Sequence, residues 1–473
     1  MSKPTDFNDQ VNEQGRDGFA DQINNDLAAI ESAKKTNTSD VQAQLLVSDN
    51  PVSEQVPAQP VRDSDYDWRA DMELTSNSDY KSSVRNAELV LRCDEQWLGV
   101  LGYCEFSYRI MKRSDPPMAN CSAGEWEDSD TAALRVWMSH EHGFTPNHSD
   151  IADALVVVAK SNRFHPVRDY LDALEWDKTE RLSHWLKTGL GATDKDDYLS
   201  IVGKKFLLGA VARVMRPGCK MDNVMILEGE QGRGKSTAVS VLFGEWFTDA
   251  PLPLGDKDAY QVIQGKWGFE LAELDAFNKS EVTALKHFFS QQIDRFRPSY
   301  GRVALDHPRQ TVFAGTTNQD AYLRDYTGNR RFWPVYTTLI LLNWLHENRD
   351  QLWAEAVALF RQGEEWWVSA DELEVVVEVQ DTRLQRDPWE EIILEYVRGK
   401  SITSISTAQL LQDAIGFDPA HINQVSTNRI GPIMKSLGWI NKREAYKGED
   451  GKRKQRRIWI TPQAEKALNE VPL

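Results

Sequence analysis

Residues 229–236 read Gly-Glu-Gln-Gly-Arg-Gly-Lys-Ser, and this stretch decides the fold of the chain. It follows an apolar run, 224–227, that is typical of a buried strand, and it precedes 237–243, which is typical of the start of a helix. A strand, a Gly-x-x-x-x-Gly-Lys-Ser loop and a helix in this order define a P-loop. The alternative is a chance match in a glycine-bearing turn, which the flanking segments disfavour. The sequence therefore predicts a site for a nucleoside triphosphate.

The P-loop motif assigns a role to each type of residue in it. Glycines let the backbone wrap around phosphates, and the loop amides together with the helix N-terminus attract anions. Lys235 is expected to reach the β- and γ-phosphates, and the Ser236 hydroxyl is expected to bind Mg²⁺. The residues expected to hold the nucleotide are Gly229, Glu230, Gln231, Gly232, Arg233, Gly234, Lys235, Ser236 and Thr237.

The composition is that of a soluble protein with several domains. A chain of 473 residues has room for about two to four domains. Its hydrophobic share is 41%, no apolar run is long enough to span a membrane, and the N-terminus is polar rather than signal-like. The four cysteines form no C-x-x-C pair, which favours reduced thiols over disulfides or a zinc site. We expect a cytoplasmic location and no membrane partner.

The net charge of -17 is unevenly distributed along the chain. About ten of the excess negative charges lie in roughly the first eighty residues, which are rich in Asp, Asn, Gln and Ser. Low hydrophobicity with net negative charge predicts a disordered tail. Because the remainder is nearer to neutral, its local basic clusters can still bind phosphate backbones.

The pattern of apolar residues predicts an α/β protein, with a P-loop NTPase core between a helical N-terminal region and a C-terminal winged helix. We expect a disordered acidic tail at 1–84, a small α or α+β accessory domain at 85–163, a helical lead-in at 164–220, the P-loop core at 221–370, a linker at 371–387 and a winged-helix-like domain at 388–465.

The first segment after the P-loop that carries candidate chemistry is a predicted acidic strand. Residues 266–275 read Lys-Trp-Gly-Phe-Glu-Leu-Ala-Glu-Leu-Asp, which is typical of a strand that ends in carboxylates. Such a strand can hold Mg²⁺ and polarise the attacking water. Glu273 fits the strand end best, as the catalytic acid and as a metal ligand with Ser236, and Glu270 and Asp275 are the alternatives.

A polar strand end and a pair of arginines follow. Asn318 closes a buried-type strand, 310–317, where its amide can orient water against the γ-phosphate; an ordinary strand-end turn is the alternative. Arg330 and Arg331 follow a glycine turn and suit an arginine finger, which neutralises charge on the transferred phosphoryl group. If the finger acts in trans, hydrolysis requires a ring or at least a dimer.

Two basic segments are candidates for binding nucleic acid. In 293–302, basic and aromatic residues alternate as expected for a loop that holds phosphates and stacks the bases of a single strand; a solvated charged hairpin is the alternative. The C-terminal segment predicts three helices and a hairpin, a winged-helix order that would dock duplex DNA, or alternatively contact protein. The candidate residues are Arg295, Arg297, Tyr300 and Arg302 in the first segment, and Arg429, Lys435, Lys442, Arg443, Arg453 and Arg456 in the second.

These segments together resemble the virulence-associated protein E family, a phage and mobile-element group whose core is similar to superfamily 3 helicases. The resemblance covers roughly residues 165–370. It rests on the residues His165–Leu171, Trp176-Asp177, Ala212–Gly218, Leu227–Gly232, Glu270–Asp275, Gly328–Pro334 and Trp353–Ala356.

The resemblance implies a homohexameric, AAA+-like ATPase that serves the DNA replication of a phage or satellite element in a bacterial host cell. It implies ATP binding at 229–236, a catalytic acid near Glu273, a sensor at Asn318 and a finger at Arg330 or Arg331. The sequence thus predicts an ATP- and Mg²⁺-dependent DNA helicase or translocase, with single-stranded DNA in its pore. The alternatives are a nucleotide-dependent origin-binding or regulatory factor that does not unwind DNA, and a motor for another polymer.

Overall fold

The computed structural model describes residues 67–256, 258–272, 279–297, 303–319, 323, 329–384, 387–447 and 453–464. The chain divides into two units, Met1–Asp71 and Met72–Leu473. The described part of the first unit is a short 3-10 turn at Trp68–Asp71, so the predicted disorder of the acidic tail lies almost wholly outside the described residues. Everything that follows concerns the second unit.

The N-terminal region of this unit is a small mixed sheet with helices. In chain order it consists of α1 (Val84–Cys93), β1 (Leu101–Cys104), β2 (Arg109–Lys112), β3 (Gly124–Glu125), α2 (Asp128–His142), α3 (His148–Ser161) and β4 (Arg163–Phe164). The strands lie in the order β3-β2-β1-β4, where β1 pairs antiparallel with β2 and parallel with β4. This region therefore contains both helices and strands.

Ordered structure begins before α1, in residues that the sequence assigned to the acidic tail. The buried Asn86 of α1 accepts a hydrogen bond from the Glu73 amide at 2.8 Å and donates to the carbonyls of Glu73 at 2.8 Å and Lys81 at 2.9 Å. Leu74 and Tyr80 form an antiparallel bridge between these contacts. A single buried amide therefore satisfies a loop whose composition alone resembles that of the tail.

The central region is an α/β layer structure built on a parallel sheet. Its strands are β5 (Val224–Glu228), β6 (Phe247–Thr248), β7 (Gly268–Leu271), β8 (Ile293–Phe296), β9 (Leu305–Pro308), β10 (Val312–Thr317) and β11 (Phe332–Tyr336). Five of these described strands form one sheet in the order β11-β5-β10-β7-β6, with every neighbouring pair parallel. Strands β8 and β9 form a separate antiparallel hairpin.

Helices cover this sheet, and three of the eight described here lie between its strands along the chain. They are α4 (Pro166–Ala173), α5 (Trp185–Leu190), α6 (Asp196–Met215), α7 (Lys235–Phe243), α8 (Asp258–Val262), α9 (Lys279–Phe289), α10 (Leu342–Arg361) and α11 (Leu373–Thr382). Helix α6 precedes β5, and β5, the loop 229–234 and α7 follow one another directly along the chain. Parallel strands require crossover connections of this kind because their ends lie at opposite edges of the sheet.

The two faces of the sheet are buried in two separate hydrophobic clusters. Met225 and Leu227 of β5 pack in one cluster with α6, α7 and α10, and Val224 and Ile226 pack in the other with α9. Successive side chains of a strand point to opposite faces, so a strand with both faces covered is apolar throughout. The unbroken apolar run before the loop is explained by this burial.

An aromatic cluster joins helices to the first of these faces. The rings of Trp267 and Trp353 lie 4.2 Å apart, and Phe243 lies 5.3 Å from Trp267. The indole of Trp353 donates to the carbonyl of Leu242 at 2.9 Å, so its polar edge is satisfied inside the core. Gly268 has no room for a side chain, since a Cβ there would lie 2.1 Å from the Phe243 ring.

The predicted linker at 371–387 contains a helix that packs on the sheet. Val376 and Val379 of α11 are buried in the first cluster, and the Gln380 amide donates to the Phe332 carbonyl at 2.7 Å. Just after α11, Arg383 pairs with Asp194 and, at 3.1 Å, with Glu228. Charged residues around these valines led to the prediction of a linker in place of a packed helix.

The C-terminal region consists of helices and a small sheet. Its elements are α12 (Pro388–Gly399), β12 (Ser404–Ser406), α13 (Thr407–Gln409) with a π turn at Leu410–Ala414, α14 (Gln424–Ser436), β13 (Ile440–Lys447) and β14 (Arg453–Ile460). The strands form an antiparallel sheet in the order β12-β14-β13. Ser406 and Gln409 form a capping box at the start of α13. Across the described ranges, no helix is both long enough and apolar enough to cross a membrane.

A pH-dependent stability is expected from His165, which caps α4. Its Nδ1 accepts from the Arg168 amide at 3.1 Å, so its Nε2 donates to the Gln310 side chain at 2.6 Å and the ring is neutral. Burial lowers the pKa of His165. The unfolded chain therefore binds a proton at His165 more readily than the folded chain does. Because of this difference, the unfolding free energy falls as pH drops below about 6.5.

The substitution His165→Asn tests this dependence, because asparagine keeps a capping acceptor and does not titrate. We expect the wild type to lose more thermal stability between pH 7.5 and pH 5.5 than the variant does. Equal losses in the two proteins would show that His165 does not contribute.

Candidate functional site

The candidate site lies at the edge of the parallel sheet where three strands end. Strand β10 lies between β5 and β7, with Thr317 opposite Glu228 and Gly315 opposite Leu271. In a parallel sheet the carboxyl ends of neighbouring strands meet at one edge, which is where α/β proteins bind ligands. The loop after β5, the end of β7 and Asn318 after β10 therefore meet there.

The loop after β5 has the backbone conformation that its glycines permit. Gly229, Gly232 and Gly234 have φ values of 135°, 78° and 87°, in the region that favours glycine. A Cβ on Gly229 would lie 2.4 Å from the Thr337 carbonyl, so this position also requires glycine for space. Gly234 caps α7, and the helix N-terminus thus opens directly from the loop.

Lys235 is buried at the centre of the site, with 7% of its surface exposed. Its Nζ donates to the carbonyls of Gly229 at 2.6 Å and Glu230 at 2.8 Å, and to Oδ1 of Asn318 at 2.9 Å. Burial lowers the pKa of Lys235, and the nearby Glu270 opposes this effect. The amine therefore links the loop to the end of β10, two segments that the sequence assigned to one site.

Glu270 lies on β7 with 2% of its surface exposed. Its Oε1 accepts from the Ser236 hydroxyl at 2.6 Å and from the Thr316 hydroxyl at 2.8 Å. Its Oε2 is buried and has no hydrogen-bond partner among the described residues. A buried carboxylate beside a hydroxyl is the oxygen ligand set that a hard divalent cation prefers.

Of the three candidate carboxylates, Glu270 is thus the one whose contact with Ser236 is described. Glu273 and Asp275 lie outside the described residues, so the expected Ser236–Glu273 metal pair is not described. The sequence did not single out Thr316, which holds the same oxygen of Glu270. The sequence did contain a signal for Thr316, because it lies two residues before Asn318 and alternate residues of a strand share a face.

The arginine pair lies at the other edge of the sheet from Lys235. Arg330 and Arg331 come immediately before β11, whose first residue pairs with the first residue of β5. The five residues of β11 span about 16 Å, and the loop lies beyond their far end. The structure therefore does not bring either arginine together with Lys235 within one chain.

The two arginines differ in their surroundings. Arg331 pairs with Asp222 at 3.2 Å and donates to the Ser290 hydroxyl at 3.0 Å, with 21% of its side chain exposed. The Arg330 side chain is exposed, and within the described part of the chain only its backbone carbonyl is held, by the Asn223 amide at 3.0 Å. Arg330 is consequently the better placed of the two to reach another subunit.

The hairpin β8–β9 presents part of the first predicted nucleic-acid surface. Arg295 lies on the outward face of β8 and pairs with Asp306 of β9 at 3.2 Å. Exposed ion pairs of this kind contribute little to stability and are readily exchanged for other partners. Arg297 follows β8, and the candidates Tyr300 and Arg302 lie outside the described residues.

The basic residues of the C-terminal region differ in the contacts that they make. Arg429 pairs with Asp387 at 2.7 Å and stacks on Trp389, whereas Lys435, on the same helix, is exposed and lines a cleft. This cleft has a volume of about 1340 Å³ and is also lined by Arg330 and Arg456. Arg456 pairs with Glu444 at 2.8 Å across the hairpin that carries Lys442 and Arg443; the Arg453 side chain is not described.

The different surroundings of the two arginines predict different effects on stability. Arg331→Ala would remove the partner of the largely buried Asp222 and is expected to lower the unfolding free energy by about 1–3 kcal/mol. Arg330→Ala should change it by no more than about 0.5 kcal/mol, because the side chain is exposed. Urea unfolding measures both, and equal effects would contradict this description.

Comparison with known proteins identifies the region that contains the site. Residues 171–385 match the family described as the virulence-associated protein E-like domain. No curated protein matches the chain. Similar solved structures include an apo structure of the NrS-1 C-terminal region, at 13% identity and a TM-score of 0.43, covering 76% of this chain and 95% of that one. A second, the A form of the same region, has 12% identity and a TM-score of 0.42, covering 80% and 100%.

The matched segment contains the glycine loop, Lys235, Glu270, Asn318 and the arginine pair. It extends to residue 385, beyond the roughly 165–370 span of the sequence resemblance, and so includes α11 and Arg383. The similarity to the virulence-associated protein E-like family is thus confirmed for residues 171–385.

Proposed function

We propose that the protein is an ATP-dependent DNA helicase or translocase of a phage or mobile genetic element, acting in DNA replication. The observation that carries this proposal is the meeting of Lys235, Ser236, Glu270 and Asn318 at one edge of the parallel sheet. A buried amine, a hydroxyl, a carboxylate and an amide beside a glycine loop are the groups that hydrolysis of a nucleoside triphosphate requires.

The residues present fit ATP and Mg²⁺. A Cβ on Gly232 would meet no atom of the described residues within 4 Å, which supports an approach of phosphates to the amides of the loop. Lys235 would exchange its loop carbonyls for phosphate oxygens, and Ser236 with Glu270 would hold Mg²⁺. When bound, Mg²⁺ neutralises charge that develops on the phosphates.

Asn318 would position the attacking water, because its side chain already lies 2.9 Å from the Lys235 amine. Glu270 is engaged by two hydroxyls, which suits a residue that holds the metal and leaves the role of the general base to Glu273 or Asp275. In such an arrangement, the carboxylates of one acidic strand both hold the metal ion and polarise the attacking water.

The remaining element is an arginine finger in trans. Arg330 lies about 16 Å or more from the loop of its own chain, since β11 separates the two sheet edges. Its exposed guanidinium would therefore complete the site of a neighbouring subunit. A closed ring of such heterologous contacts is the assembly that this geometry favours, and we propose a homohexamer.

We place single-stranded DNA at the hairpin β8–β9, and duplex DNA at the C-terminal region, which we interpret as a winged helix. The outward Arg295 supports the first assignment, and the exposed Lys435 of α14 with Arg443 of the β13–β14 hairpin supports the second. We do not assign Arg429 to DNA binding, because it forms an ion pair with Asp387 within the C-terminal region.

Nucleotide binding is expected to weaken at high pH. A phosphate needs the charged form of Lys235, and burial lowers the pKa of this amine, so affinity should fall at a lower pH than for an ordinary lysine. A fluorescent ATP analogue titrated between pH 7.5 and 9.5 measures this. Lys235→Ala should bind at least about tenfold more weakly and without the decline; a parallel decline in the variant would contradict the assignment.

The central test of the proposed function is the rate of ATP hydrolysis with and without single-stranded DNA. We expect DNA to stimulate the wild type, and Lys235→Ala and Arg330→Ala each to lose at least about 10³-fold in rate. Mixing the two variants should restore part of the activity, because some mixed interfaces join an intact loop to an intact arginine. Arg361→Ala, another exposed arginine, is the matched control and should be fully active.

Two outcomes would count against the proposal. If mixing restores nothing while both variants still assemble, Arg330 does not act in trans. If the wild type hydrolyses ATP at a rate that DNA does not change, and binds DNA without unwinding a forked duplex, the protein is a nucleotide-dependent origin-binding factor instead.

A further inference from the structure

The turn between β1 and β2 of the N-terminal sheet contacts the hairpin β8–β9 from about 200 residues away along the chain. Tyr108 ends this turn with φ of 58°, a left-handed conformation that is uncommon for a bulky residue. Its ring lies 4.4 Å from the ring of His307, and its hydroxyl donates to the Pro308 carbonyl at 3.3 Å. Such a conformation persists only where the surroundings determine it.

Gln310 extends this contact beyond the hairpin. Its amide donates to the Tyr108 hydroxyl at 3.4 Å and to the Glu105 carbonyl at 3.1 Å, and its Oε1 accepts from His165 at 2.6 Å. Only 6% of Gln310 is exposed. The segment that leads from β9 into the central sheet is thus bonded to both ends of the same turn.

The inward face of the hairpin is fixed, and this determines where its outward face points. Asp294, Phe296 and His307 are buried, and their alternation along β8 leaves Arg295 outward. The carboxylate of Asp294 accepts from the buried Arg309 at 3.1 Å, and Arg309 also donates to the Phe288 carbonyl of α9.

His307 is the point at which the turn reaches that inward face. Its ring lies 4.6 Å from Phe296 on one side and 4.4 Å from Tyr108 on the other. The hairpin is therefore held by Arg309 on the side of α9 and by Tyr108 on the side of the N-terminal sheet, in addition to the stacking of Phe296 on Tyr260 of α8.

We propose that Tyr108 is a positioning residue for the nucleic-acid contacts of this hairpin, which rests on the proposed function. Tyr108 holds His307 and Pro308 of β9, and so directs Arg295 and Arg297 toward single-stranded DNA. Packing alone does not account for it, because Tyr108 is half-buried while its neighbour Phe106, with 3% exposed, supplies the buried contact to the central core.

The proposal is tested by Tyr108→Ala and Tyr108→Phe, with Tyr103→Ala as the matched control. Tyr103 is a half-buried tyrosine on β1 whose ring faces Lys160 instead of the hairpin. The measurements are hydrogen exchange of β8 and β9 without DNA or nucleotide, the affinity for a labelled oligothymidylate, and the ATPase rate without DNA.

We expect Tyr108→Ala to speed hydrogen exchange in the hairpin and to weaken oligothymidylate binding by about five- to tenfold, with the DNA-independent ATPase rate unchanged. Tyr108→Phe keeps the ring and should fall between the wild type and Tyr108→Ala. Tyr103→Ala should alter neither hairpin exchange nor binding.

Three results would overturn the inference. Hairpin exchange that is the same in Tyr108→Ala and wild type shows that Tyr108 does not hold the hairpin. Faster exchange without weaker binding, or an equal effect in Tyr103→Ala, shows a general packing role. A wild type that binds no oligothymidylate overturns the proposed function itself, and hairpin exchange then reports on the contact separately.

Discussion

The structure depends on the parallel pairing of β10 with the strands on both of its sides. This register places the loop after Glu228, the carboxylate of Glu270 and the amide of Asn318 at one edge of the sheet. A slip of one residue in β7 would turn Glu270 to the opposite face, away from Ser236 and Thr316. The same register places Arg330 at the other edge, so one constraint both brings the loop, Glu270 and Asn318 together and keeps Arg330 of the same chain away from them.

The part of this arrangement that could be predicted from sequence is the part that is encoded locally. The strand, glycine loop and helix around Lys235 are contiguous, and the strand that ends at Asn318 is a single apolar run. The choice among Glu270, Glu273 and Asp275 depends on the register of strands far apart in the chain, which spacing does not reveal. The choice between Arg330 and Arg331 depends on Asp222 and Ser290, residues that no motif connects with the arginines.

Buried ion pairs connect separate regions of this protein. Arg309 and Asp294 connect the hairpin with α9, and Arg383 connects α11 with Glu228 and Asp194. Buried ion pairs are weak evidence for stability, because desolvation offsets much of their attraction, yet removing one partner is costly since a charge is left in the interior. Such pairs therefore determine the relative placement of the regions more than they contribute to stability.

The position of Arg383 sets the length of the smallest fragment that can carry the site. Glu228, one residue before the glycine loop, is 1% exposed and receives the guanidinium of Arg383 at 3.1 Å. A fragment that ended at residue 370 would retain every residue of the loop and the strand ends, and would lose the cation that neutralises this carboxylate. The stretch that holds the site together is thus longer than the span of its recognisable motifs, and a fragment that keeps this ion pair has to extend beyond residue 383.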